Sequence, residues 1–201
     1  MNQVILIIPA FNEEENIQAV VEGLIKNYPE LDYVVVNDGS TDSTERILRA
    51  GGYNHITLPV NLGLAGSFQT GMKYAFERGY SCAVQFDGDG QHRAEYVAEM
   101  KEKMDEGYSI VIGSRFVNHK KDFSLRMVGS RMIGLAIWLT TRARITDPTS
   151  GMRMFDRERR EKFAYRMNYG PEPDTISLLI RQGAKVAEVP VVIDERKGGE
   201  S

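Results

Sequence analysis

Two carboxylates and an amide alternate with glycine in Asp87-Gly88-Asp89-Gly90-Gln91. On an extended segment, oxygen donors two residues apart can converge on one hard divalent cation, Mg2+ or Mn2+, while the glycines let a diphosphate come close. A cation held there would clamp the diphosphate and stabilise it as a leaving group. The competing reading is a solvated acidic turn. An EF-hand is excluded, because the further ligands and the Glu at the twelfth loop position are missing.

This group is one of four polar turns that each follow an apolar run. The others are Pro9-Ala10-Phe11-Asn12-Glu13, Asn37-Asp38-Gly39-Ser40 and Asn61-Leu62-Gly63, and the fourth runs on to His92. Ordinary turns also demand Asp, Asn, Gly and Ser. Four such turns at the ends of successive strands instead point to the edge of an open sheet where ligands bind. Gly63, Gly66 and Gly71 resemble a fragment of a dinucleotide fingerprint, but the spacing is wrong and they follow the third strand. Close packing of a helix N-terminus accounts for them equally well.

Charge divides the chain. Between Arg115 and Arg166 there are 13 Lys+Arg against 5 Asp+Glu, whereas the remainder has 12 against 23. A basic stretch of this density suits phosphates, an anionic membrane surface or nucleic acid, or else is a solvated face.

The elements that must position these residues alternate. Val4–Ala10 is a continuous apolar run, as in a strand buried on both faces. Asn12 is placed as a helix cap with Glu15 in capping-box spacing, ahead of an apolar stripe of Ile17, Val20, Val21, Leu24 and Ile25. Strands follow at Tyr33–Val36, His55–Leu58, Cys82–Phe86 and Ser109–Ile112, separated by helices carrying Ile47 and Leu48, Ala65 to Arg78, and Val97, Met100 and Met104. That alternation predicts an α/β fold with a mostly parallel central sheet flanked by helices. Beyond Gly113 come a basic loop (Arg115–Asp122), a helix (Phe123–Thr141), a turn-rich segment (Thr146–Arg153), two short helices (Arg157–Tyr165 and Asp174–Gln182) and a last strand, Val186–Ile193. The Phe123–Thr141 helix reads either as a core helix or as one lying on a bilayer surface.

With 201 residues, a net charge of −3 and 42% hydrophobic residues, the chain suits one soluble globular domain, 1–201, with a nucleotide-type half (1–114) and a half that completes the site (115–201). The single Cys82 excludes an intramolecular disulfide and reads as a small buried hydrophobe in a reducing compartment. The longest apolar run in the later part, Met132–Leu139, is far short of the ~20 residues that span a bilayer. The expected location is cytoplasmic, at the inner face of the membrane.

Taken in order, PAFNEEENI, VVVNDGSTDST, NLGLAGSFQTGMKYA, FDGDGQH, GSRF, DPTSGMR, EVPV and RKGGES resemble the family 2 glycosyltransferases, in the branch of dolichyl-phosphate mannose synthase and polyprenyl-phosphate glycosyltransferases. The resemblance implies a GT-A fold and inverting transfer of a sugar from a nucleotide-diphospho-sugar, UDP- or GDP-linked, to an acceptor. It implies that Pro9, Phe11 and Glu13 line the base and ribose pocket and that Asp38 accepts from the base. Asp87, Asp89 and Gln91 would hold Mg2+ or Mn2+, with Asp87 beside the donor diphosphate. Arg115 and Arg196 would contact phosphates, and Arg131, Ser150, Arg153 and the rest of the Asp147–Arg153 segment would face the acceptor. The catalytic set that the resemblance implies is Asp89, Arg115, Arg131 and Asp147.

Arginine's planar fork suits that phosphate-rich site. A polyprenyl phosphate acceptor is already ionised and needs no strong base, so positioning and charge neutralisation would supply most of the rate. A saccharide acceptor would need a carboxylate base, for which Asp147 or Glu172 is the candidate, although Asp147 also reads as a turn residue before Pro148. The resemblance implies no nucleic-acid partner. Asn37 stands where relatives often carry Asp, and Leu64 where many carry Lys; polyprenyl-phosphate relatives usually continue past the position of Ser201 into amphipathic or transmembrane segments. The rival readings are saccharide transfer in polysaccharide assembly, a sugar-phosphate nucleotidyltransferase, and a non-catalytic nucleotide-sugar binder.

Overall fold

A computed structural model describes residues 4–116, 125–166 and 169–193. At its centre β1 (Val4–Ala10) buries Ile5, Leu6, Ile7 and Ile8 completely. Each such side chain contributes roughly 1.5–3 kcal/mol when withdrawn from water, and a run with no polar alternation is stable only where both faces are covered. Strand β1 pairs in parallel with β2 (Asp32–Asn37) on one side and with β4 (Cys82–Gln85) on the other, and β3 (His55–Thr57) extends the sheet beyond β2. Past β4 comes β6 (Arg153–Phe155), antiparallel to both β4 and β5 (Ile110–Ser114), and β7 (Val186–Pro190) closes the sheet in parallel with β5. The order is β3-β2-β1-β4-β6-β5-β7. A single sheet thus takes strands from both sides of residue 114, and it is mostly parallel as expected.

Helices cover both faces. Against one face lie α1 (Ile17–Asn27), α2 (Thr44–Ala50) and α4 (Val97–Asp105), burying Ile17, Val21, Leu24, Leu48, Val97 and Met100. The other carries α3 (Gly63–Glu77), α5 (Leu125–Thr141), α6 (Arg157–Tyr165) and α7 (Pro173–Arg181), around a T-shaped trio of Phe68, Phe155 and Phe163 with ring centroids 5.1–5.8 Å apart. Gly71 lets α3 lie directly on β1: a Cβ there would meet Ile7 Cγ2 at 2.2 Å. Close packing is present at Gly71, whereas Gly63 adopts φ +73 with open space where a Cβ would stand. Cys82 is buried and free.

Two expectations are corrected. Asn12 does not cap α1, which starts at Ile17 behind Asn16; Asn12 is instead in the left-handed region (φ 55), and its Oδ1 accepts the Thr41 N–H at 2.9 Å. The turn-rich stretch ends in β6, a strand of three residues that the helix-and-turn reading did not contain.

The chain leaves β1 towards β2 and β3, then returns to β4 on the opposite flank of β1. The crevice at such a reversal, beyond the carboxyl ends of the strands, is where open α/β sheets bind ligands.

Candidate active site

The loops after β1 and β2 are laced together by side chains that satisfy each other's backbone. Asn12 N–H donates to Ser40 Oγ, Glu13 N–H to Thr44 Oγ1 and Glu14 N–H to Asp42 Oδ2, while Glu14 Oε2 accepts the Ser43 N–H. Asp38 continues the ladder: its N–H donates to the Ala10 carbonyl, and its buried carboxylate accepts the Leu62 N–H at 2.8 Å, tying in the loop after β3. Gly39 adopts φ +65, and a Cβ there would come 2.7 Å from the Val60 carbonyl carbon, so glycine is required by both conformation and space. Phe11, beside Asn12 at the start of this platform, is 46% exposed. Glu13 is partly buried, its Oε2 accepting from Asn16 Nδ2, and Pro9 is partly buried at the end of β1.

The acidic turn lies against the end of β1, where a Cβ on Gly88 would be 3.0 Å from the Pro9 carbonyl oxygen. Asp89 Oδ1 accepts the Gln91 N–H at 3.0 Å. Burial holds the Asp87 carboxyl above its ordinary range; His92 and Arg153 oppose that shift and Asp89 adds to it. His92 Nδ1 accepts the Asp87 backbone N–H at 2.9 Å.

The third component is the loop between α5 and β6. Asp147 is fully buried. Its Oδ2 accepts the Arg115 backbone N–H at 3.0 Å and Arg115 Nε at 2.7 Å, and its Oδ1 accepts Arg115 Nη2 at 2.8 Å. This fork-to-fork pairing pushes the Arg115 guanidinium above its ordinary range. Glu188 of β7 anchors the loop from behind, accepting the Thr146 and Asp147 N–H groups at 2.8 and 2.9 Å. Ser150 and Arg153, expected on the acceptor side, are buried and brace this loop: Ser150 Oγ accepts the Met152 N–H and Arg153 Nη2 donates to the Pro148 carbonyl at 2.7 Å. Burial pushes Arg153 down to about 10 against the opposing field of Glu172, Asp147 and Asp87. Glu172 is exposed at the start of α7, and Arg131 is exposed on α5. Arg196, most of the basic loop and Phe123 lie outside the described residues.

The ends of β1, β2 and β4 therefore carry Pro9, Phe11, Glu13, Asp38, Asp87, Asp89 and Gln91 along one edge of the sheet, with the Arg115–Asp147 pair in the loops that follow β5 and precede β6. Sequence reasoning gave no role to His92 or Glu188, and placed Gly151 only within the acceptor-facing Asp147–Arg153 segment. His92 had a visible signal, as the last residue of the acidic turn.

The description "Glycosyl transferase family 2" belongs to the family model that matches residues 5–163. The chain belongs to glycosyltransferase family 2. This glycosyltransferase is 30% identical over 213 residues to the polyprenol monophosphomannose synthase of Mycolicibacterium smegmatis, covering 98% of this chain and 79% of that protein. It is 28% identical over 224 residues to the undecaprenyl-phosphate mannosyltransferase of Micrococcus luteus, covering 99% and 86% respectively. Glucosyl-3-phosphoglycerate synthase from Mycobacterium tuberculosis, in complex with Mn2+, uridine diphosphate and phosphoglyceric acid, superposes with a TM-score of 0.69 at 20% identity, over 98% of this chain and 72% of that one. The family 2 fold is GT-A, and the class of reaction is glycosyl transfer.

Proposed function

We propose that this family 2 enzyme is a metal-dependent, inverting glycosyltransferase that moves a sugar from a nucleoside-diphosphate donor to a polyprenyl phosphate at the inner face of the membrane. The carrying observation is the meeting, at the β1/β4 switch point, of the acidic turn with the laced platform of Phe11, Glu13 and Asp38. The relatives named for polyprenol and undecaprenyl phosphate support the acceptor. So does α5, which exposes Met132, Leu135 and Leu139 along one face beside Arg131 while its Ile137 enters the core. Among the described residues no helix is long and apolar enough to cross a membrane.

The donor set fits a hard cation. Asp87, Asp89 and Gln91 offer oxygen from one turn as two carboxylates and an amide, and among the described residues no group of three or more His, Cys, Asp or Glu that could by itself hold a metal ion is found. Such a partial set suits Mg2+ or Mn2+, whose remaining positions go to water and substrate phosphates. When bound, the cation would neutralise charge on the departing diphosphate.

The chain's own residues do the rest. Phe11 stacks on the base and Asp38 accepts from it, leaving UDP and GDP both open. Arg115, held in place by Asp147, meets phosphate oxygens together with Arg131 and Arg196. The acceptor phosphate, with a second pKa of about 6, is ionised at neutral pH. One of its oxygens attacks the anomeric carbon as the bond to the diphosphate breaks, and the nucleoside diphosphate leaves with no proton moved. Asp147 then acts by positioning Arg115, and Ser150 and Arg153 by holding the loop.

Thermal denaturation with UDP or GDP, with and without Mn2+, tests the donor site. A ligand at 100 times its dissociation constant adds about 2.7 kcal/mol, so one nucleotide raises the transition in the presence of Mn2+ and not in its absence. No shift with either nucleotide overturns the reading.

A further inference from the structure

His92 is almost wholly enclosed, its side chain 2% exposed, with Phe86 edge-on to its ring at 5.6 Å between centroids. The Asp87 backbone N–H that reaches its Nδ1 at 2.9 Å can only donate. A neutral imidazole in that position therefore carries its proton on Nε2. Nε2 faces Asp87 Oδ2 at 3.4 Å, an approach somewhat longer than a closed hydrogen bond. On another side of the same oxygen lies Gly151. A Cβ at Gly151 would sit 2.8 Å from Asp87 Oδ2 and 3.2 Å from His92 Cε1. One oxygen of Asp87 is thus walled by an imidazole N–H donor and by a glycine that leaves just enough room.

We propose that His92 and Gly151 form a positioning pair that decides which oxygen of Asp87 is presented to the cation. His92 draws Oδ2 inwards while also locking the backbone of the turn through Nδ1, Gly151 keeps the space into which Oδ2 folds, and Oδ1 is the oxygen offered outwards. The inference rests on the reading of Asp87 as a cation ligand. It belongs to a general pattern in which a donor held by the protein orients a ligating carboxylate, and loss of that donor typically weakens metal binding 10- to 100-fold. Gly151 comes from the loop that also carries Asp147, so the pair couples the placement of the metal ligand to the placement of Arg115.

Titration of Mn2+ followed by the electron paramagnetic resonance of the free ion, with UDP and separately with GDP present, tests the pair. Gly151→Ala presses on Asp87 Oδ2 and on the enclosed His92 ring, so it is assayed well below its own melting transition, where Mn2+ affinity falls 10- to 100-fold. His92→Asn keeps an acceptor near the Nδ1 position but no donor at Nε2, and weakens Mn2+ to a similar extent. His92→Gln places an amide N–H near the Nε2 position and recovers part of that loss. Asp87→Asn is the reference for losing the ligand. Should Gly151→Ala and both His92 variants bind Mn2+ like the wild type while Asp87→Asn does not, the positioning role is wrong and the metal reading stands. Should Asp87→Asn bind like the wild type, the metal reading fails and takes the inference with it. Losses that merely follow the unfolded fraction at the assay temperature also overturn the pair.

Discussion

Substituting Asp147 by Asn removes a charge that is completely enclosed and that accepts from the backbone N–H, Nε and Nη2 of Arg115 and from Thr149 Oγ1. Breaking a buried pair from one side costs about 3–5 kcal/mol. Here the Arg115 side chain is 32% exposed and can rehydrate once unpaired, which lowers the expected loss to about 2–3 kcal/mol. With a urea dependence of ~2 kcal/mol/M, the unfolding midpoint falls by roughly 1–1.5 M. A double-mutant cycle on transfer rate then separates positioning from proton abstraction. If Asp147 acts through Arg115, Asp147→Asn and Arg115→Ala slow transfer comparably and the double variant is no slower than Arg115→Ala alone. Independent, multiplying losses would make Asp147 a base in its own right. An unchanged urea midpoint would refute the energetic part of the reasoning.

Three further outcomes are expected. Burial and a hydrogen bond to Asp32 push Tyr80 up to about 12 from an unfolded value near 10. Its stabilising contribution is therefore complete below pH 10 and is lost as pH rises to 12, and after allowance for partial exposure it amounts to about 1 kcal/mol; urea unfolding at stepped pH shows a shallower alkaline loss in Tyr80→Phe. Gly39→Ala forces a side chain into φ +65 and against Val60, costing about 2 kcal/mol or more in thermal denaturation, and an unchanged transition would contradict the required turn. Leu135→Asp with Leu139→Asp, both exposed on α5, leaves the melting transition in place but reduces co-flotation with anionic vesicles; undiminished flotation would remove α5 from the membrane contact.

The sheet was legible where burial and sequence say the same thing. Val4–Ala10 is apolar throughout because both of its faces are covered, and its ends match β1 residue for residue. Asn12 misled because its residue type suits a cap and a loop bridge alike, and only the neighbouring loop, with Ser40 and Thr41, decides between them. Strand β6 was illegible because three residues carry no period; it exists through its register with Gln85 and Ile112 on two other strands. The acidic turn was readable as chemistry because its donors are local. The Arg115–Asp147 pair was not readable as a pair, since 32 residues separate the partners and Glu188 of β7 completes the arrangement. Burial of Ser150 and Arg153 follows from the same tertiary folding of the loop, which no local pattern encodes.

The most direct test of metal-dependent transfer to a lipid phosphate is nucleoside diphosphate release, measured with UDP- and GDP-sugars in vesicles with Mn2+ and with or without polyprenyl phosphate. The expected result is release from one donor that requires the polyprenyl phosphate, forms a glycosylated lipid in equal amount, stops on chelation of Mn2+ and is lost in Asp89→Asn. Release that proceeds equally with the dephosphorylated lipid, or only with a soluble saccharide or phosphorylated acceptor, would contradict it.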